Sequence, residues 1–230
     1  MDATEETAGL AFHTSTNKAT MEEKTIKHYS SSHRILLVGE GDFSFSACLA
    51  RAFGSANNMV ATSLDSRAEL EVKYLMAGVY LEEIGKLGCK VFHGVDAHTM
   101  AKHPDLSFME FDRIVFNSPH SRLDYPEHDL FQISLHEQLV EGFFKSAGEM
   151  LSSNGEIHVT HKTAYPFSLW RLEELASELG LILLEEANFY KSDYPGYDNK
   201  RAYNWRDKTC DSTFPVGECS TFKFVPLKIG

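Results

Sequence analysis

The stretch Arg34–Ser46, RILLVGEGDFSFS, decides the fold. Its apolar run Ile35–Val38 ends on Gly39, and Gly41 follows two residues later. Ser44-Phe45-Ser46 then opens into Ala47-Cys48-Leu49-Ala50-Arg51, which suits a helix. Strand, glycine turn and helix in this order grip a nucleoside-bearing cofactor at the switch point of an α/β sheet. The glycines let backbone approach the ligand where a Cβ would clash. The dinucleotide fingerprint is incomplete, because Phe43 and Ser44 stand where its third glycine belongs. Glu40 and Asp42 make the turn acidic, which disfavours a diphosphate at the helix N-terminus. A cofactor without phosphates, such as S-adenosylmethionine with its positive amino and sulfonium groups, suits those carboxylates better. Gly39, Glu40, Gly41, Asp42 and Phe43 are therefore the expected cofactor contacts. The alternative is an ordinary strand-to-helix turn.

Working outward, Asn58–Ser63 is a second strand, and Asp65 lies 24 residues after Gly41 at its end. There a carboxylate can accept both hydroxyls of an adenosine ribose, or simply cap the next helix. The spacing of Leu70, Tyr74, Ala77, Leu81 and Ile84 predicts one long helix over Arg67–Leu87, closed by Gly88. Cys89–His93 is a third strand, and Asp96 beyond it is either an adenine contact or a turn residue. Phe111–Asn117 is the fourth strand and runs into Ser118-Pro119-His120. A helix is expected over Asp129–Leu151, with Leu135, Leu139, Phe143 and Ala147 on its buried face. Glu156–Lys162 is the fifth strand; a helix starting at Pro166 follows, then Leu181–Glu186 and a last strand, Cys219–Val225. This alternation defines an α/β doubly wound sheet. Residues 1–32 lack periodicity and read as a disordered leader to a domain spanning 33–230.

A chain of 230 residues with 43% hydrophobic content fits one α/β domain. Cys48, Cys89, Cys210 and Cys219 form no C-x-x-C pair, so neither a zinc knuckle nor a disulfide framework is signalled, and a reducing compartment is expected. No apolar run approaches the ~20 residues of a membrane span. His93, His98 and His103 recur at fives, a spacing that suits no usual zinc pair, so no metal is expected. The net charge of −11 excludes a generally basic surface; RNA binding must be local or assisted. The local candidate is the long segment Asn188–Gly217. It carries Phe189, Tyr190, Tyr194, Tyr197, Tyr203 and Trp205 interleaved with Lys191, Lys200, Arg201, Arg206 and Lys208. Aromatic platforms with cations hold unpaired bases and phosphates. The alternative is a hydrophobic flap over the sheet edge.

VGEGDFSFS (Val38–Ser46), ATSLDS (Ala61–Ser66), FDRIVFNSPHS (Phe111–Ser121), EIHVTHK (Glu156–Lys162) and YPGYDNKR (Tyr194–Arg201) together resemble the eukaryotic 25S rRNA uridine-N3 methyltransferase family. The likeness covers about Arg34–Val225. It implies a Rossmann-like class I methyltransferase sheet with an antiparallel last strand, Cys219–Val225. It also implies S-adenosyl-L-methionine as cofactor and large-subunit rRNA as substrate. A nucleolar or nuclear monomer is expected, with the cytoplasm as the other location. Ser118 departs from the family, which more often carries an aromatic there.

Methylating N3 of uracil requires a proton to leave, since the neutral nitrogen offers no available lone pair. His120 has the right chemistry and position for the base; His161 and Asp124 are the other candidates. Asn117 can meet the base edge. Pro119, His161, Tyr197, Lys200, Arg201 and Trp205 are the expected substrate contacts. Two rivals remain: a non-catalytic nucleoside- or RNA-binding module that keeps the fold, and an NAD-type oxidoreductase, disfavoured by Glu40, Asp42 and Phe43.

Overall fold

The computed structural model describes residues 22–200 and 210–228. A short hairpin comes first, β1 (Thr25–Ile26) and β2 (Tyr29–Ser30). Then follow β3 (Ile35–Val38), α1 (Ser44–Phe53), β4 (Met59–Ser63), α2 (Arg67–Lys73), α3 (Ala77–Lys86) and β5 (Lys90–His93). The second half holds β6 (Phe111–Asn117), α4 (Leu130–Gly148), β7 (Leu151–Lys162), α5 (Leu172–Glu178), β8 (Leu181–Asn188) and β9 (Cys219–Pro226). Seven strands form one sheet in the order β5-β4-β3-β6-β7-β9-β8. The first five are parallel, and β9 runs antiparallel between β7 and β8. The doubly wound sheet with its antiparallel last strand is as the sequence implies.

β3 lies at the centre, paired on both sides, and all four of its residues are buried. Alternation sends Ile35 and Leu37 into one core and Leu36 and Val38 into the other. The first core packs α1 and α3 and includes Tyr29 and Tyr74; the second packs α4 and α5 around Trp170. A continuous apolar run is what a strand covered on both faces requires.

Three expectations are corrected. The leader over residues 1–32 includes the β1–β2 hairpin, whose Tyr29 is fully buried and lies within hydrogen-bond reach of His158 Nδ1, 3.2 Å away. The helix expected over Arg67–Leu87 is two helices. Ser66 and Glu69 start α2 with a capping box, and the chain leaves helical geometry at Tyr74 (φ −131°, ψ 114°). Tyr74 keeps its place on the buried stripe, but the break carries its ring over the glycine turn: a Cβ on Gly41 would stand 3.3 Å from the phenol oxygen. The buried face of α4 is also rotated from the expected one. Gln132, Ile133, His136, Val140 and Phe143 are inside, while Leu135 and Leu139 are half-buried.

Candidate active site

Four of the five parallel strands, β3 to β6, end at one crevice, a cavity of about 410 Å³. Its lining includes Gly39–Asp42 after β3, Asp65 after β4, Asp96 after β5 and Asn117, Ser118 and His120 after β6. Strand order alone spreads these groups in a row, from Asp96 at one side to His120 at the other.

The glycine turn explains itself locally. Gly39 has φ +65°, and a Cβ there would meet the Phe116 ring at 2.5 Å. The chain then passes through Phe43 at φ 64°, a strained value for a side-chain-bearing residue. Burial of the Phe43 ring, edge-on to His93, holds it there. Phe43 is thus a core residue and does not line the cavity, contrary to its expected cofactor contact. The first amides of α1 are already satisfied: Ser44 N–H donates to Asp42 Oδ1 (2.9 Å) and Ser46 N–H to Glu40 Oε2 (3.1 Å). A helix N-terminus binds phosphate through free N–H groups, and this one offers its own carboxylates instead.

Those carboxylates are unusual. Burial pushes Glu40 up to about 7, even though Ser46 donates to it from both side chain and backbone. Asp42 is also raised by burial, with Ser44 opposing. Asp65 is half-buried and pairs with Lys73 at 2.5 Å. Asp96 accepts from the His98 amide at 2.9 Å. The turn therefore favours a ligand that brings positive charge.

At the other side, Asn117 has both amide atoms buried without a hydrogen-bond partner among the described residues. Ser118 follows at φ 48°, its N–H bonded to Thr160 O (2.7 Å). His120 is half-buried, with Nε2 3.3 Å from Glu127 Oε1 and Nδ1 3.3 Å from Ser118 O. Its ring is edge-on to His136, Trp170 and Phe214.

Four expected substrate contacts lie elsewhere or play another part. His161 is buried against Trp170, within hydrogen-bond reach of Phe167 O, and burial pushes it down to about 4; it does not line the cavity. The base candidate His161 is thereby removed. Pro119 is buried and likewise absent from the lining. Asp124 is not in the lining either. Tyr197 and Lys200 do line the cavity, but as parts of a closed structure. Tyr197 is buried edge-on to Phe45, and its hydroxyl donates to Asn199. Lys200 pairs with Asp198 (3.1 Å) and Asp211 (3.2 Å). Arg201 and Trp205 lie outside the described residues.

Sequence reading missed Lys73, Glu127, His136 and Gln132. The last two had a signal: polar side chains at i and i+4 on the buried face of a helix. His93, His98 and His103 are not brought together as a donor group among the described residues; the trio that is grouped is His120, Glu127 and His136, within 4.8 Å of one another.

Sheet order and glycine turn define a Rossmann-like fold of the methyltransferase type. Solved structures share this fold at low identity. NSun6 from Pyrococcus horikoshii, solved with SFG, aligns over 86% of this chain and 49% of its own (TM-score 0.54, 15% identity). A methyltransferase from Pyrococcus furiosus aligns over 86% and 76% (TM-score 0.52, 14%). The chain belongs to the BMT5-like family, described as rRNA (uridine-N3-)-methyltransferase BTM5-like, whose model matches residues 36–201. The family is one of rRNA methyltransferases, and the fold is shared with solved methyltransferases. It is 52% identical to heavy metal-associated isoprenylated plant protein 41 of Arabidopsis thaliana, over 88% of this chain but 39% of that protein. An uncharacterised Arabidopsis thaliana protein is 52% identical over 88% of this chain and 97% of its own length. The human ferredoxin-fold anticodon-binding domain-containing protein 1 is 34% identical over 55% of this chain and 19% of its own.

Proposed function

We propose that this chain is an RNA methyltransferase that uses S-adenosylmethionine to methylate N3 of a uridine in large-subunit rRNA, with His120 as the base. The observation that carries the reading is the composition of one cavity. It joins a carboxylate-lined glycine turn to an amide without a partner among the described residues and an imidazole at the end of β6. When bound, S-adenosylmethionine supplies an electrophilic methyl group on a sulfonium. Glu40 and Asp42 offer negative charge to its positive groups, and Asp65 stands where ribose hydroxyls are accepted. Asn117 presents one donor and one acceptor, which suits an imide edge with its N–H between two carbonyls. Holding the two reactants in near-attack geometry supplies most of the rate. His120 takes the N3 proton as the nitrogen lone pair forms the new bond to carbon. Its Nδ1 then donates to the Ser118 carbonyl, 3.3 Å away. A nucleolar or nuclear location, with the cytoplasm as the alternative, and action as a monomer are parts of the same proposal.

The test is single-turnover methylation of a uridine-containing rRNA fragment by wild type and His120→Ala. Turnover should fall ~10²-fold, the range of general base catalysis, while cofactor affinity stays within about twofold. Because the N3 proton is weakly acidic, hydroxide should narrow the deficit as pH rises. Equal rates at neutral pH would remove His120 from the chemistry. A product methylated elsewhere than N3 would overturn the target assignment. Retained S-adenosylmethionine binding with no methylation of any RNA would favour the non-catalytic binding module.

A further inference from the structure

A chain of hydrogen bonds, closed by one electrostatic contact, leads from the backbone after β6, through α4, to the ring of His120. Its protons can be placed one by one from groups that only donate or only accept. The amides of Asp124 and Tyr125 both donate to Gln132 Oε1, at 3.0 Å each. That fixes the Gln132 amide the other way round, its NH₂ donating to Arg122 O (3.0 Å) and Ser121 Oγ (3.1 Å). Ser121 N–H donates to His136 Nδ1 (3.1 Å), and Ser121 Oγ, having accepted from Gln132, donates to the same nitrogen (2.9 Å). His136 Nδ1 is therefore the bare nitrogen, and the neutral ring carries its proton on Nε2. That nitrogen lies 3.2 Å from Gln132 Nε2, whose two protons are directed at Arg122 O and Ser121 Oγ, and 3.5 Å from Glu127 Oε2, which has no hydrogen-bond partner among the described residues, so His136 meets Glu127 through electrostatics. Glu127 Oε1 faces His120 Nε2 at 3.3 Å. His120 Nδ1 faces another acceptor-only group, the Ser118 carbonyl, also at 3.3 Å; the ionised carboxylate is the stronger acceptor, so the neutral ring keeps its proton on Nε2 and Nδ1 holds the lone pair.

We propose that Glu127 is the positioning residue of this site: held by His136, it fixes His120 as the Nε2–H tautomer and leaves Nδ1 as the base. The inference rests on the reading of His120 given above. Burial works to protonate Glu127, but its contacts with His120 and His136 more than reverse it, to about 2, so it stays ionised. The arrangement follows the logic of a carboxylate behind a catalytic imidazole, which sets the tautomer and stabilises the imidazolium. The same three side chains also invite a cation. A metal would need the lone pair of His136 Nε2, hence a proton on Nδ1 directed at an acceptor. Nδ1 faces two donors, so the second shell is built for a proton chain rather than for a metal.

The tautomers are read directly from ¹⁵N NMR of the histidine rings in the wild-type protein without RNA. Nε2–H is expected at both His120 and His136. Glu127→Gln should give mixed tautomers at His120 and a fall in kcat of roughly 10²-fold, with KM and cofactor affinity within about twofold at a temperature where the variant is folded. Glu127→Asp should recover part of kcat. An Nδ1–H tautomer at either ring in wild type would overturn the proposal, even if the glutamine variant did not fold. Stoichiometric Zn²⁺ binding that abolishes both Nε2–H signals would overturn it in favour of a metal site. Wild-type tautomers as stated, with no uridine methylation, would leave the hydrogen-bond chain standing and sink only the functional reading.

Discussion

Glu40 shows how one residue joins sequence motif, strain and ligand choice. It sits in the glycine turn, caps α1 through Ser46, and lines the cavity while almost fully buried. Burial raises it from 4.5 to about 7, so forcing it to ionise costs on the order of 3 kcal/mol without a positive partner. A cationic ligand beside it repays that cost only when the carboxylate is charged. Affinity for S-adenosylmethionine should thus rise between pH 6 and pH 8, with proton release that calorimetry in buffers of different ionisation enthalpy can count. Glu40→Gln should flatten this dependence and weaken binding roughly tenfold at pH 8, the size of a lost charge-assisted contact. The same variant should melt higher than wild type at pH 8 in the absence of ligand. A pH-independent affinity in wild type would show that Glu40 does not face the ligand's charge.

Among elements, the segment Asn188–Lys200 between β8 and β9 changes meaning once it is seen folded. Its aromatics read as a stacking platform for bases, yet Phe189, Tyr194 and Tyr197 are buried against α1, with Phe189 stacked on Tyr194 and both tyrosines against Phe45. Asp198 is tied through its backbone to Ser44, the first residue of α1. Lys200 is held by Asp198 and Asp211. The described part is a strap that closes one wall of the cavity, the flap alternative. Tyr197→Ala should cost about 3 kcal/mol, as expected for truncating a buried aromatic, and should lower melting temperature and cofactor affinity together. The salt dependence of RNA binding should stay the same. If instead the salt slope fell while the melting temperature held, Tyr197 would belong to the RNA surface.

For the whole molecule, the groups buried away from water set the pH dependence of stability. His158 and His161 are pushed down to about 4, chiefly by burial. From 6.5 down to about 4 the unfolded chain binds protons there that the folded chain refuses, so stability is lost as pH falls. Glu40 acts oppositely: the folded chain holds its proton from 4.5 up to about 7, so stability declines as pH rises through that window. Two histidines outweigh one carboxylate below pH 6.5. Glu127 adds a loss of stability as pH falls from 4.5 toward 2. The ligand-free protein should therefore have its highest melting temperature near pH 6.5, measured by thermal denaturation from pH 4 to 8. A melting temperature that kept climbing from pH 7 to 8 would contradict the assignment.

Periodicity and turn chemistry by themselves determined the strands, their alternation with helices, and the crevice at their ends. Those features follow from local rules: apolar runs for strands covered on both faces, and glycine where φ turns positive. Resemblance supplied the antiparallel last strand, and the position of β9 between β7 and β8 agrees with it. The break at Tyr74 was not legible, because neither Gly nor Pro marks it; the Tyr74 ring lies against Gly41, a contact made across the fold. His161 looked equal to His120 as a base, since strand alternation says which face a residue takes but not whether that face is solvent or core. Tertiary packing against Trp170 decided that. The chain Gln132–His136–Glu127–His120 depends on bringing α4 against the loop after β6, and hydrogen bonds are directional contacts made in space. Sequence names the groups able to make them; only the fold decides which ones meet.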